Sequence, residues 1–370
     1  SSTARPPTAS QALAAAADGN VIAISNGLYA GIIAMTNRTL TVAGQGSGKT
    51  IVRHAIGQPV ALVLDGSTAQ FHSLTFSNTN GRGVQCQDSS LLLAQCSIFE
   101  GQIDEGAGVL ISNSVFTITQ AYFRRNAGIF AGGAGVIIDS TGSVEDSIIA
   151  NNLTYDFLNP IGGFWITNSQ VTFYHCVVRD NIGAGIDAMN ARVHIRNSIV
   201  WNNACAITAE FSCVQDGVPG PGVITDDPLM TVTSHLQWNS PCINSGTNTP
   251  GAPVDMDGES RPQGPARDMG ADEWLSTTGD RVPDWWKAVW GFDLDSATVW
   301  QQDPNSDGIL NIDHYAQNTT PVNTNILRII GASNTVVRAL KTLTNTVEVI
   351  AGTNVLQGIT CLTNNAPGSS

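Results

Sequence analysis

Between residues 20 and 250, apolar and polar side chains alternate in short runs, and helical periodicity is scarce. Alternation with a period of two is typical of β-strands that bury one face. Six runs can be laid over one another: FHSLTFSNTN, LAQCSIFEG, ITQAYFRRN, VEDSIIANN, FYHCVVRDN and HIRNSIVWNN. The small residue that they share is Ser73, Cys96, Ala121, Ser147, Cys176 and Ser198. Five intervals over 125 residues give a mean repeat of 25 residues.

The columns beside this small residue predict a solenoid. Positions three before it and two after it are mostly apolar, and the fifth position after it holds Asn78, Gly101, Asn126, Asn152, Asn181 and Asn203. Strands in such a repeat stack coil on coil about 4.8 Å apart, and asparagine suits the turns because it bonds to its stacked neighbours. The pattern therefore predicts an all-β, right-handed parallel β-helix. An alanine-rich run over residues 8–19 predicts a helix that caps its N-terminal end.

The stretch TVAGQGSGKT, residues 41–50, has the spacing of a phosphate-binding loop. Such a loop needs a helix directly after it, because the helix N-terminus holds the phosphates. The residues that follow, IVRHAIGQPVALVLDG, are rich in β-branched side chains, contain a proline and lack a helical period. We interpret the stretch as a glycine-rich turn between strands and expect no nucleotide.

Two sets of residues carry a resemblance to known families. ALAAAADGNVIAISNGLYAG and the stacked runs resemble the pectate-lyase-like β-helix superfamily. CVQDGVPGPGVITDDPLM, LQWNSPCINSGTN and VDMDGESRPQGPARDMGADEW resemble the closing segment of secreted bacterial right-handed β-helix repeat proteins. The resemblance covers roughly residues 8–274. It implies export and a β-helix but no single activity, since this fold carries lyases, hydrolases, epimerases, adhesins and fibres.

A further resemblance runs from GDRVPDWWKAVWGFDLDS to DPNSDGILNIDHYAQNTTP, which is similar to calcium-binding segments related to dockerin and thrombospondin type 3 repeats. The residues at loop positions 1, 3, 5 and 9, with one nearby acid, are Asp303, Asn305, Asp307, Asn311 and Asp313. The resemblance implies that these residues bind Ca²⁺. His314 stands at position 12, where a bidentate acid is expected. The other interpretation is an Asp/Asn-rich turn that is stable without metal.

Three parts follow along the chain. Residues 1–275 form the β-helix with its helical cap, and residues 276–320 hold a short tryptophan-rich helix and the calcium-type loop. Residues 321–370 are a β-rich tail with the runs ILRII, TVVRAL, TVEVIA and ITCL. Fifty residues are few for an independent core. We therefore expect the tail to pair with the solenoid or, by strand addition, with another copy of the chain.

Candidate site residues lie on the later coils. If Ile195 points inward, His194 and Arg196 point outward, beside Tyr174 and then Glu145 of the preceding coils. The column just before the small residue is polar throughout: His72, Gln95, Gln120, Asp146, His175 and Asn197. This patch is a candidate carbohydrate surface, with Arg196, His194, Tyr174 and Glu145 as candidate catalytic residues. β-helix lyases use an arginine or lysine base with carboxylate-bound calcium. The alternative interpretation is a solvated sheet face.

Charge restricts the partners. The net charge of −13, with only three lysines, disfavours nucleic acid and anionic membrane surfaces. No apolar run approaches the roughly 20 residues of a membrane span. The acidic residues of the closing segment are predicted to form hydrogen-bonded turns rather than a metal site; they are Asp255, Asp257, Asp268 and Asp272.

The chain has seven cysteines, an odd number, so at least one is unpaired or pairs with another chain. Cys96 and Cys176 share the inward column three coils apart, roughly 14 Å, which is too far for a disulfide. We expect both to be buried. One pair among Cys205, Cys213 and Cys242 could form a bridge near the C-terminal closure, and we favour Cys205–Cys213.

These observations favour a secreted or cell-surface structural protein, non-catalytic and assembling into fibres through its C-terminal strands. The alternative is a polysaccharide-active enzyme, either lyase or hydrolase, or a glycan-binding module that uses the groove of the later coils.

Overall fold

The computed structural model describes residues 9–53, 60–78, 80–158, 160–205, 207–248 and 252–322, with residues 327–328 and 347–348. The chain divides into two compact units, the first ending at Leu275 and the second beginning at Ser276. Within the described residues, no helix has the length and apolar character needed to cross a bilayer.

The first unit is the predicted parallel β-helix, in which successive strands of a coil enter three long sheets in turn. Sheet A consists of β1 (Val21–Ala23), β4 (Thr39–Ala43), β7 (Thr68–His72), β10 (Ser90–Ala94), β14 (Val115–Thr119), β18 (Thr141–Glu145), β22 (Gln170–Tyr174), β25 (Arg192–Arg196) and β28 (Ala209–Glu210). Sheet B consists of β2 (Gly27–Ala30), β5 (Thr50–Arg53), β8 (Thr75–Ser77), β11 (Ser97–Phe99), β15 (Tyr122–Arg124), β19 (Ile148–Ala150), β23 (Val177–Arg179), β26 (Ile199–Trp201) and β29 (Cys213–Val214).

The third long sheet closes each coil. Sheet C consists of β3 (Ile33–Thr36), β6 (Val60–Asp65), β9 (Arg82–Gln87), β13 (Val109–Ser112), β17 (Gly135–Ile138), β21 (Phe164–Thr167), β24 (Ala184–Met189) and β27 (Ala204–Cys205). Longer connections between sheets B and C add a small sheet of β12 (Gln102–Glu105), β16 (Ala127–Ala131) and β20 (Leu153–Thr154). The turn over residues 44–49 connects β4 to β5, so TVAGQGSGKT is a turn between strands, as predicted.

Alternation along the strands fills the interior. The inward positions carry fully buried apolar side chains, including Phe71, Leu93, Ile118, Val144 and Phe173 of sheet A. Cys96 and Cys176 are also 0 % exposed, which confirms that they are buried. Such burial raises the pKa of Cys96 to about 12, so that its thiol stays protonated.

The strand register corrects one member of the repeat. His72 pairs with Ala94, so that the residue stacked on Cys96 is Leu74 and not Ser73. Ser73 instead has a φ of 57° and aligns with Gln95, whose φ is 55°. The polar column begins with Ser73 rather than His72, and it marks the corner where the chain turns from sheet A to sheet B.

The asparagines predicted from the repeat form a hydrogen-bonded ladder. Asn126 donates through Nδ2 to Oδ1 of Asn152, Asn152 donates to Asn181, and Asn181 to Asn203, at 2.9, 2.9 and 3.0 Å. The same Oδ1 atoms accept backbone N–H groups from the coil before. Each buried amide thus satisfies backbone groups that a turn leaves unpaired.

The β-helix is covered at its N-terminal end and along one outer face. Helix α1 (Ala9–Ala15) precedes the first coil, and its Leu13 joins the interior core, which confirms the predicted cap. After β29, residues 216–248 and 252–275, which we call the closing segment, fold back along the outer face of sheet B. Its Leu236 and Met269 pack there against Val177 and Ile199 of the later coils.

The second unit contains α2 (Asp284–Trp290), a short 3₁₀ helix (Val299–Gln301) and α3 (Asn311–Gln317). Trp286 of α2 is 3 % exposed and contacts the rings of Phe292 and Tyr315. In the tail, β30 (Leu327–Arg328) pairs with β31 (Val347–Glu348). The other tail residues from 329 onward lie outside the described part, so assembly through this tail stays a prediction.

We predict that Asn152→Ala destabilises the β-helix by about 3 kcal/mol, because it removes a buried amide and leaves polar groups of three coils unpaired. Thr141→Ala, an exposed position in β18, serves as the control and should change the stability by less than about 0.5 kcal/mol. Urea unfolding measures both values, and equal stability of the two variants would show that the ladder contributes little.

Candidate functional site

The outer face of sheet A on the later coils brings the predicted residues together. Glu145 pairs with Tyr174, Tyr174 with Arg196, and Arg196 with Glu210, across β18, β22, β25 and β28. Two residues earlier in the same strands, a second row consists of Ser143, Thr172 and His194. We call these seven residues the sheet A rows. Neighbouring members lie about one strand spacing apart, roughly 4.8 Å.

Arg196 is held by its neighbours in the row. Its Nε lies 3.9 Å from Oε2 of Glu210, and its guanidinium carbon lies 5.6 Å from the ring centroid of Phe211. A guanidinium next to a carboxylate and an aromatic face is directed by both groups. The guanidinium of Arg196 therefore lies along the sheet A face, toward Glu210 and Phe211.

A depression continues this face toward the beginning of the same strands. It has a volume of about 560 Å³ and lies where the turns from sheet C enter sheet A. Its polar lining includes Asp139, Thr141, Asn168, Gln170, Asn190 and Arg192. The exposed face of sheet A thus offers hydroxyl, amide, carboxylate and guanidinium groups from three successive coils.

Two predicted members of the patch lie elsewhere. Asp146 and His175 belong to the left-handed corner column, with φ of 43° and 49°, and each is 1 % exposed. His175 Nε2 lies 2.9 Å from Nδ2 of Asn197, and burial keeps the pKa of His175 well below its ordinary value. The closing segment covers both residues. The prediction that they share a surface with Glu145 and His194 is wrong, because the corner turns their side chains away from the sheet A face.

Beneath that cover, Arg261 of the closing segment connects two buried acids. Its Nε lies 3.4 Å from Oδ1 of Asp146, and its Nη1 lies 3.1 Å from Oε2 of Glu273. Arg261 also donates to the carbonyl of Gly270 at 3.0 Å. Burial raises the pKa of Asp146 to about 7 despite the opposing charge of Arg261. This ion pair ties the closing segment to the corner of the β-helix.

The carboxylates on the sheet A face do not form a close pair. Glu145 and Glu210 stand three strands apart in their row, which is roughly 14 Å. Glycosidases that use two carboxylates hold them about 5–9.5 Å apart. The face therefore lacks, among its described residues, the spacing that two-carboxylate hydrolysis requires.

The calcium-type loop of the second unit is organised by its own hydrogen bonds. The carboxylate of Asp303 accepts the N–H groups of Asp307 and Gly308 at 3.2 and 3.0 Å. Asn305 donates to Asp307, and the buried Asn311 donates to the carbonyl of Val299.

The end of that loop differs from a calcium loop. Asp313 is exposed in α3, and His314 Nε2 lies 3.5 Å from Oδ2 of Asp307. Calcium binding by the five predicted residues stays a prediction.

Sequence reasoning assigned the acids of the closing segment to turns, and the structure gathers three of them with His235 and Glu259 into a cluster. Among the described residues, two groups of three potential metal ligands occur: His235, Asp257 and Asp272, and Asp255, Glu259 and Asp272. The DMDGE run at residues 255–259 was the available signal. Asp268 differs, because its two oxygens accept the N–H groups of Asn244 and Trp274 at 2.6 and 2.7 Å, as predicted for a turn residue.

The cysteines near the closing segment also differ from expectation. All six described cysteines are free, so Cys205 and Cys213 are not bridged. The thiol of Cys213 instead donates to the carbonyl of Asp226 at 3.2 Å. The predicted Cys205–Cys213 bridge is wrong, because Cys205 lies in sheet C and Cys213 in sheet B.

We expect Arg261→Met to destabilise the protein by about 3–5 kcal/mol, because it leaves Asp146 and Glu273 buried without their counter-charge. Arg192→Met, at an exposed position of β25, provides the control and should be nearly neutral. Urea unfolding followed by near-ultraviolet circular dichroism tests this. Wild-type stability in Arg261→Met would contradict the anchoring role of the ion pair.

Comparisons with known proteins agree with the architecture. Residues 60–215 match the family model described as "Right handed beta helix region". A search of curated proteins finds no match. Solved structures with similarity include a pectin methylesterase from carrot, at 14 % identity over 60 % of this chain and 80 % of that chain, with a TM-score of 0.35. Pectate lyase Pel9A matches at 15 % identity over 72 % of this chain and 91 % of that chain, with a TM-score of 0.34. The matched family region lies within the parallel β-helix described above.

Proposed function

We propose that this protein binds a polysaccharide along the outer face of sheet A, across β18, β22 and β25. The observation that carries the proposal is the in-register alignment of the sheet A rows, which repeats polar and aromatic groups at the spacing of the coils. A surface with a regular repeat suits a ligand that is itself a repeating polymer.

The chemistry of the rows supports a carbohydrate ligand. Tyr174 and the exposed His194 offer ring faces for the apolar side of a sugar. Ser143, Thr172 and Glu145 supply hydroxyl and carboxylate groups for hydrogen bonds to sugar hydroxyls. The depression beside them extends this polar lining.

The charge of the surface favours a neutral polysaccharide. Glu145 and Glu210 balance Arg192 and Arg196 on this face, whereas the whole chain carries −13. A strongly negative protein repels polyanions at long range. We therefore propose a neutral, hydroxyl-rich chain as the ligand class rather than a polyuronate.

Binding without turnover follows from the same geometry. A lyase needs a base directed at its substrate, and the guanidinium of Arg196 is directed toward Glu210 and Phe211 instead. A hydrolase needs a close pair of carboxylates, and Glu145 stands too far from Glu210. An extracellular location, which the sequence resemblance implies, is part of this proposal.

Retention on a panel of neutral and acidic polysaccharides in affinity electrophoresis tests the proposal. Wild-type protein should be retarded by at least one neutral polysaccharide. Tyr174→Ala should weaken that binding about tenfold, which corresponds to about 1.4 kcal/mol, because a stacking face is lost. The matched control is Phe157→Ala, since Phe157 is 91 % exposed and lies on the connection between sheets B and C.

Three outcomes would contradict the proposal. They are no retardation by any polysaccharide, equal losses in Tyr174→Ala and Phe157→Ala, or a preference for polyuronates. Release of reducing ends or unsaturated sugars from the bound polysaccharide would show turnover and would make the protein an enzyme instead of a binding protein.

A further inference from the structure

The closing segment gathers acidic side chains around Asp272. Two groups of three side chains each place one potential ligand atom per residue within 4.8 Å of the other two. The groups are Asp255, Glu259 and Asp272, and His235, Asp257 and Asp272. Asp272 belongs to both groups and is 1 % exposed. A buried carboxylate normally has a partner for each oxygen, so the partners of Asp272 are informative.

Two oxygens in this cluster lack such a partner. Oδ2 of Asp272 accepts the N–H of Leu236 at 2.7 Å, but Oδ1 is buried without a hydrogen-bond partner. Oε2 of Glu259 is likewise buried and unpartnered. Burial of an unpaired carboxylate oxygen is costly, and a bound cation removes that cost.

The charges of the cluster also require compensation. The cluster contains four carboxylates, those of Asp255, Asp257, Glu259 and Asp272. Of these, Asp257 pairs with His235, whose Nε2 lies 3.0 Å from Oδ2 of Asp257. The nearby Arg261 is directed to Asp146 and Glu273 instead. Four carboxylates beside one imidazole leave the cluster short of positive charge, which a bound cation would supply.

We propose that Asp255, Glu259 and Asp272 bind a calcium ion in the closing segment. Three carboxylates form an all-oxygen ligand set, which hard cations prefer, and the irregular loop suits the flexible coordination of Ca²⁺ better than the strict octahedron of Mg²⁺. The imidazole of His235 is engaged by Thr233 through Nδ1 and by Asp257 through Nε2. These contacts make it a neighbour of the ion and not a ligand, which disfavours zinc.

The surrounding backbone positions the ligands. Gly258, with φ of 91°, forms the turn of the 255–259 loop, and Oδ1 of Asp255 accepts the N–H groups of Asp257 and Glu259 at 2.9 and 2.8 Å. Gln120 of the β-helix donates to the carbonyl of Asp255. An ion here links the 255–259 loop to Asp272 and holds the closing segment on the later coils.

The experiment must separate this site from the calcium-type loop of the second unit. We therefore use the full chain carrying Asp303→Asn and Asp307→Asn as the background. After treatment with EGTA, this protein is titrated with CaCl₂ by isothermal calorimetry, and its melting temperature is measured with EGTA and with excess calcium. We expect one calcium per chain and a rise in melting temperature of about 5 °C or more.

Glu259→Gln in the same background gives the sharpest result. It should weaken calcium binding at least tenfold, and it should lower the melting temperature in calcium. With EGTA it should leave the melting temperature close to that of the background protein, because an amide of the same size replaces the carboxyl group. Asp104→Asn, at an exposed position of β12, is the control and should change neither value.

Two results would overturn the proposal. One is the absence of calcium binding in the background protein while it remains folded, which would mean that the cluster shares protons instead. The other is the same shift in melting temperature for Glu259→Gln with and without calcium, which would mark the residue as structural only. Neither result bears on retention by polysaccharides, so the proposed function is tested separately.

Discussion

The backbone hydrogen bonds between successive coils fix almost everything else in the first unit. Each strand pairs in parallel with the corresponding strands of its neighbouring coils, so every side chain lies over its counterpart about 4.8 Å away. A shift of one residue would exchange inward and outward positions. This register stacks the buried phenylalanines, connects Asn126 to Asn203 through the ladder, and aligns Glu145, Tyr174 and Arg196 on the outer face.

The same stacking creates the need for covers. A solenoid leaves unpaired strand edges at its ends, and α1 lies at one of them. The closing segment instead covers the outer face of sheet B on the later coils, where Leu236 and Met269 bury Val177 and Ile199. Because sheet B is covered and sheet A remains accessible there, the proposed ligand surface and the proposed calcium site occupy different faces of the same coils. In this proposal, one face serves recognition and the other stability.

The fold and the outward rows could be predicted because both depend on local alternation, which the sequence displays directly. Alternation identified Tyr174 and His194 as outward residues, and the repeat identified the Asn126–Asn203 ladder. Corners were harder. Ser73 was placed in the column of Leu74 because it is small, like the residues that follow the left-handed corner in the other coils. What covers a face depends on contacts distant in sequence. Asp146 meets Arg261 more than a hundred residues later, so its burial could not be predicted from its own strand.

The central claim is that the accessible face of sheet A binds a neutral polysaccharide, and hydrogen–deuterium exchange of the wild-type protein tests it most directly. With a retained polysaccharide present, the account predicts slower exchange in residues 139–145, 168–174 and 190–196, and unchanged exchange in the connections around Phe130 and Phe157. Protection of those connections without protection of sheet A would contradict the account, and so would an unchanged exchange pattern throughout.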